Sequence, residues 1–250
     1  KKFLYYDTGI NGVKKNLNSC NVIFDCTSAN SNMIITKKLK NLIKNKFYIN
    51  LTPSTFGKYV VPYFNQQTIP NEVNLITCGG QTSIPIISLF KKTLRGNLVY
   101  SELVSSISSK SAGIATRNNI NEYVINTENA IKQLAKIKKT KVIINLNPSV
   151  PPVNMMNSLF FELKKSIKPK EYINLKKELK KINSQIKFYI PDYNATLFKE
   201  FDERVLRVTV RVIGQGDYLP TYAGNLDIMT SSAVHLSKQI NQNYFDGKSK

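Results

Sequence analysis

The sequence predicts an α/β protein followed by a second domain of the α+β kind. Short apolar runs alternate with amphipathic stretches up to residue 146, a pattern typical of folds with a mainly parallel sheet. Beyond that point, the predicted helices and strands no longer alternate regularly. With 250 residues, 42% of them hydrophobic, the chain can fill one large core or two modest ones. No repeat and no long Gly/Ser/Pro-rich linker divides it.

The elements of the first part follow from the period of their apolar residues. Short apolar and β-branched runs predict strands at 21–26, 46–51, 73–78, 98–108 and 141–146. Apolar residues that recur every three to four positions predict helices at 33–46, 83–94 and 120–137.

The second part contains three further elements. An apolar stripe with spacings of 4, 3 and 4 predicts a helix around Leu175, Leu179, Ile182 and Ile186, with lysines on its solvated face. In residues 204–214, apolar and polar side chains alternate, as in a strand with one face exposed to solvent. A helix over about 226–243 closes the chain.

Composition excludes several classes of protein. No run approaches the roughly 18 consecutive apolar residues of a membrane span. Three cysteines give neither a disulfide framework nor a paired metal-ligand spacing, so no metal is predicted and a reducing cytoplasm is expected. The net charge of +20 would suit binding to nucleic acid. However, only five of the 36 basic residues are arginines, and the lysines are dispersed along the chain. Nucleic-acid binding is therefore not favoured.

Cys78 is the candidate nucleophile, in the stretch ITCGGQTSIP at 76–85. A predicted strand end, Gly79-Gly80 and a helix start surround it. Backbone N–H groups at a helix N-terminus would lower the thiol pKa and could stabilise an oxyanion. The glycines would let the backbone approach a substrate without interference from Cβ. Local pattern alone leaves open a buried, unreactive cysteine, the reading also given to Cys20 and Cys26.

Six segments together resemble the acetylating acetaldehyde dehydrogenases of aromatic meta-cleavage pathways. They are VIFDCTSAN (22–30), NLTPS (50–54), TCGGQTSIP (77–85), SSISSKSAGIATRNNINEY (105–123), NPSVPP (147–152) and YLPTYAGNLDIMT (218–230). They occur in the order of the family and cover most of the chain between residues 21 and 230. The resemblance implies a fold like that of glyceraldehyde-3-phosphate dehydrogenase, with a partial Rossmann-type domain and an α+β catalytic domain.

The resemblance also implies an activity and its residues. Acetaldehyde, NAD and coenzyme A would give acetyl-CoA and NADH through a thioester on Cys78. The NAD contacts would come from Asn225 and from a nine-residue segment: Ser109, Lys110, Ser111, Ala112, Gly113, Ile114, Ala115, Thr116 and Arg117. From the residues alone, that segment is interpreted as a polar, turn-rich connection, and Asn225 could be a helix cap. His235 lies outside every matching segment and is interpreted as structural.

Three departures from the family pattern affect these expectations. The glycine-rich phosphate-binding turn that opens the family's fold has no counterpart here, so the chain is expected to be N-terminally incomplete. Met156 and Asn157 stand where the family has an Arg-Asp pair, whose Asp assists the nucleophile. The region from 193 to 204 is shorter than in the family, so a loop and part of a strand are expected to be missing.

The resemblance completes the predicted organisation. Residues 1–77 would form a partial NAD-binding domain, completed by a C-terminal helix at 225–250, and 78–224 a catalytic and oligomerisation domain. A 4-hydroxy-2-oxovalerate aldolase is the implied partner, and a homodimer is possible. The alternative function is a catalytically degenerate remnant that keeps the fold and an aldolase-docking surface, which the missing phosphate cradle and Asn157 favour.

Overall fold

The computed structural model describes residues 9–64, 68–200 and 202–246; the ends of the predicted domains, 1–8 and 247–250, lie outside them. The helices of these described ranges are α1 (Gly9–Asn16), α2 (Ala29–Ile43), α3 (Cys78–Leu94), α4 (Ile114–Asn118), α5 (Ile120–Ala130), α6 (Pro169–Lys187) and α7 (Gly224–Tyr244). The strands are β1 (Val22–Asp25), β2 (Phe47–Asn50), β3 (Lys58–Tyr59), β4 (Glu72–Asn74), β5 (Leu98–Ser108), β6 (Thr140–Asn147), β7 (Met155–Leu163), β8 (Tyr193–Lys199) and β9 (Val205–Val212). None of the helices in these ranges is long and apolar enough to cross a membrane.

The first sheet is parallel, in the order β1-β2-β4-β3 within the described residues. Parallel neighbours need a crossover connection, and α2 supplies it between β1 and β2. Ser28 caps α2 by accepting a hydrogen bond from the backbone N–H of Ser31. The predicted α/β beginning of the chain is confirmed.

The three longer strands of this sheet end in the same way. The last residue of each accepts, through its side-chain oxygen, a hydrogen bond from the backbone N–H two residues on. The pairs are Asp25 with Thr27 (2.9 Å), Asn50 with Thr52 (2.8 Å) and Asn74 with Ile76 (2.7 Å). These turns bring the following residues together along the carboxyl edge of the sheet.

The second sheet is mixed, in the order β6-β5-β7-β9-β8 within the described residues. Only β5 and β6 pair in parallel, and the other pairs are antiparallel. The sequence prediction missed β7 and β8, whose side chains alternate between buried and exposed positions. In the segment expected to be shortened, β8 pairs with β9 over seven positions.

Helix α3 forms the centre of the core. It is buried continuously from Cys78 to Ile87 and packs against the second sheet, α5, α6 and α7. Phe90 stacks on Phe161 of β7 with ring centroids 3.9 Å apart, and both rings are fully buried. The helix begins at Cys78, five residues before its predicted start, because Thr77 caps it by accepting a hydrogen bond from the Gly80 N–H.

The last helix lies against the first sheet. Ala233, Leu236 and Ile240 of α7 belong to one apolar cluster with Phe47 and Ile49 of β2. The start of α7 packs closely against the end of β9 in the second sheet. A Cβ on Gly224 would lie 2.5 Å from the Val212 carbonyl oxygen, so only glycine fits there without a shift. Helix α7 thus contacts both sheets.

Candidate active site

A cleft of about 330 Å³ opens at the carboxyl edge of the first sheet. Loops after β1 and β2, the start of α3, the segment before α5 and the start of α7 line it. The side chains in its wall include Cys26, Thr27, Thr52, Cys78, Thr116, Tyr123 and Asn225. Ligands bind in this place in open α/β sheets, outside the carboxyl ends of the strands. A wider groove of about 590 Å³ along α7, beside Phe188 and His235, contains none of the predicted site residues.

Cys78 is the first residue of α3 and is only 8% exposed. Its Sγ lies 3.8 Å from the hydroxyl oxygen of Tyr123. Burial raises the pKa of the thiol to about 11, although its hydrogen bond with the Tyr123 hydroxyl and the backbone N–H of Gly79 act in the opposite direction. The expectation of a lowered pKa is therefore wrong for this arrangement, because desolvation outweighs the helix N-terminus.

The order of thiol alkylation at neutral pH follows from this burial. Cys26 is exposed, so a small neutral alkylating reagent should label it first and Cys78 last. The labelling rate of Cys78 should rise with pH up to about 11, as the thiolate fraction grows. Mass spectrometry of the three cysteine peptides at several pH values measures this. Faster labelling of Cys78 than of Cys26 at neutral pH would contradict the burial of its thiol.

The two glycines after Cys78 face protein atoms. A Cβ on Gly79 would lie 2.2 Å from the Tyr123 hydroxyl oxygen and 3.0 Å from the Ser105 hydroxyl oxygen. A Cβ on Gly80 would lie 2.6 Å from Cγ2 of Ile76. The prediction that these glycines admit a substrate is corrected: they admit Tyr123 and Ile76 against the start of α3.

Ile76 adopts a left-handed backbone conformation, with φ of +66°. This region is unfavourable for a β-branched residue and costs on the order of 1–3 kcal/mol, so surrounding contacts must hold it. Asn74 accepts a hydrogen bond from the backbone N–H of Ile76 at 2.7 Å. The strained residue therefore lies two positions before the candidate nucleophile.

Asn157 is connected to Cys78 through two hydroxyl groups and does not touch it. The Tyr123 hydroxyl donates to Ser105 Oγ at 3.1 Å, and Ser105 donates to Asn157 Oδ1 at 2.5 Å. Ser105 and Asn157 are direct neighbours across β5 and β7, which fixes their approach. Cys78, Tyr123, Ser105 and Asn157 thus form one chain of polar contacts.

The other side of the Asn157 amide binds α3. Its Nδ2 donates to the hydroxyl oxygens of Thr82 (2.5 Å) and Ser83 (3.2 Å), and the residue is fully buried. An amide oxygen accepts hydrogen bonds but does not take up a proton near neutral pH. Asn157 therefore ends the polar chain as an acceptor without acting as a base.

The predicted cofactor segment forms a tight turn followed by the short helix α4. Arg117 stabilises this turn: its Nη2 donates to the backbone carbonyl and hydroxyl of Ser109, each at 2.8 Å, and its Nε donates to the Ala112 carbonyl at 3.0 Å. Of the segment, Thr116 lines the cleft, while Ile114 is 80% exposed. The structure thus brings Cys78, Thr116 and Asn225 together in the cleft wall, and Thr116 is the residue of the segment that lines it.

Asn225 lies in the cleft wall at the start of α7 and is 3% exposed. Its Nδ2 donates to the Ser111 carbonyl at 3.3 Å. Its Oδ1 is buried and has no hydrogen-bond partner among the described residues. A buried acceptor without a donor is costly, so a ligand with an N–H or O–H group fits this position.

Sequence reasoning missed Tyr123 and Ser105 as members of the polar chain next to Cys78 and treated Cys26 as an unreactive strand residue. Cys26 lies just beyond β1 in the cleft wall; its side chain is exposed, and partial desolvation together with the Asp25 carboxylate raises its pKa. His235 lies in the outer groove, where its ring stacks on Tyr189 with centroids 4.7 Å apart, and burial and Lys238 lower its pKa. Polar residues at helical spacing in 120–130 were the available signal for Tyr123.

Two solved structures share the fold. The aspartate semialdehyde dehydrogenase of Francisella tularensis superposes with a TM-score of 0.59, covering 92% of this chain and 84% of its own, at 11% identity. Aspartate semialdehyde dehydrogenase II of Vibrio cholerae gives 0.58, with 92% and 80% coverage, also at 11% identity. The predicted fold class, like that of glyceraldehyde-3-phosphate dehydrogenase, is confirmed.

Sequence comparison identifies the family. Residues 78–220, more than half of the chain, match the family model described as prokaryotic acetaldehyde dehydrogenase, dimerisation. The acetaldehyde dehydrogenase of Pectobacterium atrosepticum is 35% identical over 238 residues, covering 94% of this chain and 78% of that protein. That of Brevibacillus brevis is 39% identical over 220 residues, covering 87% and 72%. With the fold, the cleft and these similarities in agreement, the chain belongs to the acetaldehyde dehydrogenase family.

Proposed function

We propose that the chain is an NAD-dependent acetylating acetaldehyde dehydrogenase, which converts acetaldehyde, NAD and coenzyme A to acetyl-CoA and NADH. The observation that carries the proposal is the position of Cys78. It begins α3 in the wall of a cleft that Asn225 also lines, and the Oδ1 of Asn225 is buried without a hydrogen-bond partner among the described residues. A thiol and an unsatisfied acceptor in one cleft suit covalent chemistry on a small carbonyl substrate beside a bound cofactor.

Cys78 would supply the nucleophile. Its thiolate would add to the aldehyde carbon, and the positive end of the α3 dipole would favour the negative charge that develops on the substrate oxygen. The raised thiol pKa makes the loss of its proton the difficult part at neutral pH. Tyr123 and Ser105 can pass on hydrogen bonds from the thiol, but Asn157 at the end of the polar chain does not take up the proton.

The cofactor would be held by the polar groups around the same cleft. The free Oδ1 of Asn225 suits an amide N–H of the cofactor, and Thr116 offers a hydroxyl nearby. Arg117 would act indirectly. It stabilises the turn through its hydrogen bond to the Ser109 carbonyl, and the Ser111 carbonyl of the same turn accepts the hydrogen bond from Asn225. NAD, when bound, supplies the hydride acceptor that makes the Cys78 adduct a thioester, and coenzyme A is the second substrate.

The domain division and the partners belong to the same proposal. Residues up to 77 and the C-terminal helix would hold NAD, and 78–224 would carry the nucleophile and the dimer contact. The outer face of the second sheet exposes Met156 and Phe198, and a second copy covering these apolar side chains would give a homodimer. The resemblance adds a 4-hydroxy-2-oxovalerate aldolase as partner, and a cytoplasmic location.

Acylation of Cys78 tests the proposal. The chain is incubated with acetaldehyde and NAD, and the cysteine peptides are analysed by mass spectrometry; acetyl-CoA is then measured after addition of coenzyme A. We expect an acetyl group on the peptide of Cys78 and loss of acetyl-CoA formation in Cys78→Ser. Cys20→Ser is the matched control, because Cys20 lies outside the cleft. Equal product formation by Cys78→Ser and the unmodified chain would overturn the assignment.

A catalytically degenerate remnant is the second candidate. Two observations favour it: the amide of Asn157 where a carboxylate would take a proton, and the raised pKa of Cys78. Absence of acylation at every pH up to about 11, in a chain that still binds NAD in calorimetry, would support the remnant.

A further inference from the structure

One face of α5 is polar although it is buried. Tyr123, Asn126 and Thr127 lie at positions i, i+3 and i+4, which share one face of a helix, and each is at most 5% exposed. Buried polar side chains normally mark a specific set of hydrogen bonds. This face is directed at the turn that leads into α3.

Each of the three side chains contacts a different residue of that turn. Asn126 Nδ2 donates to the Ile76 carbonyl at 3.2 Å. The hydroxyl oxygens of Thr127 and Thr77 are 2.7 Å apart, and the Tyr123 hydroxyl oxygen lies 3.8 Å from Cys78 Sγ. Three consecutive residues that end at the candidate nucleophile are thus held by one helix face.

The hydroxyl contact has a defined direction. The Thr127 hydroxyl donates to the Tyr123 carbonyl at 2.6 Å, so Thr77 donates to Thr127. The Thr77 hydroxyl also accepts the Gly80 N–H at 3.1 Å, which caps α3. Thr127 therefore orients the cap of the helix that begins at Cys78.

Ile76 explains why such support is needed. Its left-handed conformation persists only where neighbours restrain it. Asn74 holds its N–H from one side and Asn126 holds its carbonyl from the other. If either contact were lost, the turn would relax and Cys78 would move away from the first position of α3.

We propose that the polar face of α5, formed by Tyr123, Asn126 and Thr127, is the positioning element of the nucleophile turn Ile76-Thr77-Cys78. The part of the inference that concerns catalysis rests on the proposed role of Cys78. The part that concerns restraint of the turn stands on the contacts alone. The two parts give different measurable consequences.

Site-resolved alkylation tests the restraint without any need for activity. In Asn126→Ala and in Thr127→Val, Cys78 should be alkylated faster by about fivefold, the effect of losing one buried hydrogen bond on a local opening equilibrium. Cys20 and Cys26 should keep their alkylation rates, because the opening is confined to the turn before α3. Faster alkylation of Cys20 would instead indicate general unfolding. Thr127→Ser keeps the hydroxyl and should behave like the unmodified chain. Asn121→Ala, an exposed asparagine on the same helix, is the matched control for Asn126→Ala.

A double variant separates restraint from packing. Glycine adopts the left-handed conformation without strain, so the effect of Asn126→Ala should shrink in an Ile76→Gly background. Acetyl-CoA formation by Asn126→Ala should show a lower kcat at nearly unchanged KM, since a misplaced nucleophile affects the chemical step. Unchanged alkylation of Cys78 in both Asn126→Ala and Thr127→Val would overturn the restraint. Faster alkylation of Cys78 with an unchanged kcat would overturn the positioning role. The assignment of Cys78 as the nucleophile would not be affected, because the Cys78→Ser variant tests it separately.

Discussion

Asn157→Asp is expected to raise acetyl-CoA formation by at least about tenfold near neutral pH, because general-base assistance is typically worth about 10²–10⁴ in rate. The carboxylate would accept the hydrogen bond that Ser105 now donates to the amide oxygen. A proton from Cys78 could then pass through Tyr123 and Ser105 and be retained on the carboxyl group. Burial raises the pKa of such a carboxyl group towards neutral pH, where a base is most effective.

The separation between the two groups also favours the gain. A carboxylate in contact with the thiol would oppose formation of the thiolate. Here Tyr123 and Ser105 lie between them, which weakens that repulsion while leaving a path for the proton. The gain should diminish as the pH approaches about 11, where Cys78 ionises without assistance.

The same substitution has a predictable effect on stability. The folded-state pKa of the buried Asp would be raised above its unfolded value, so the variant should be most stable at acid pH and lose stability as pH rises through the folded pKa. Activity is therefore compared only at pH values where both proteins are folded by circular dichroism. Asn194→Asp, on the exposed face of the same sheet, controls for the added charge.

Ser105→Ala decides whether the proton follows the proposed path. In the Asn157→Asp background this change removes the hydroxyl between Tyr123 and the carboxylate, and the gain should disappear. A gain that survives Ser105→Ala would rule out the path through Ser105. If the Asp variant is no faster at any pH, either the match of residues 147–157 to the family is wrong or activity has been lost for other reasons.

Gly79→Ala is expected to reduce acetyl-CoA formation by about 10²-fold, the effect of misplacing a catalytic group by roughly 1 Å. The new Cβ would lie 2.2 Å from the Tyr123 hydroxyl oxygen, and the aromatic ring cannot swing away within the core. Either the ring or the start of α3 must move, and with it Cys78. Overpacking of this kind also lowers the free energy of unfolding by about 1–3 kcal/mol.

Tyr123→Phe provides the decisive comparison. Removal of the hydroxyl eliminates the closest contact, so Gly79→Ala should cost less stability in the Tyr123→Phe background than in the unmodified chain. Gly96→Ala is the matched control, because a Cβ there meets no atom within 4 Å, and its effect should stay within about 0.5 kcal/mol. Denaturant unfolding of these variants and the unmodified chain gives these values. Equal losses in both backgrounds would show that the clash with Tyr123 is not the cause.

Much of the architecture could be predicted from local sequence. Strands β1, β2, β5, β6 and β9 and helices α2, α3, α5, α6 and α7 follow apolar periods that a single segment displays. The sequence also predicted a helix start close to Cys78, but it placed Cys78 at the end of a strand and the helix five residues later, whereas β4 ends at Asn74 and α3 begins at Cys78. Strands β7 and β8 were missed because their apolar alternation becomes clear only when they pair with β5 and β9.

The protonation of the thiol and the connection between Cys78 and Asn157 were decided by tertiary structure. Desolvation of Cys78 depends on side chains from several distant segments, so no local motif predicts its raised pKa. The polar chain joins residues 78, 123, 105 and 157, which meet only because β5 pairs with β7 and α5 packs beside α3. Local sequence therefore determined which elements form and which residues could react, while packing between those elements determined their burial, their partners and their chemistry.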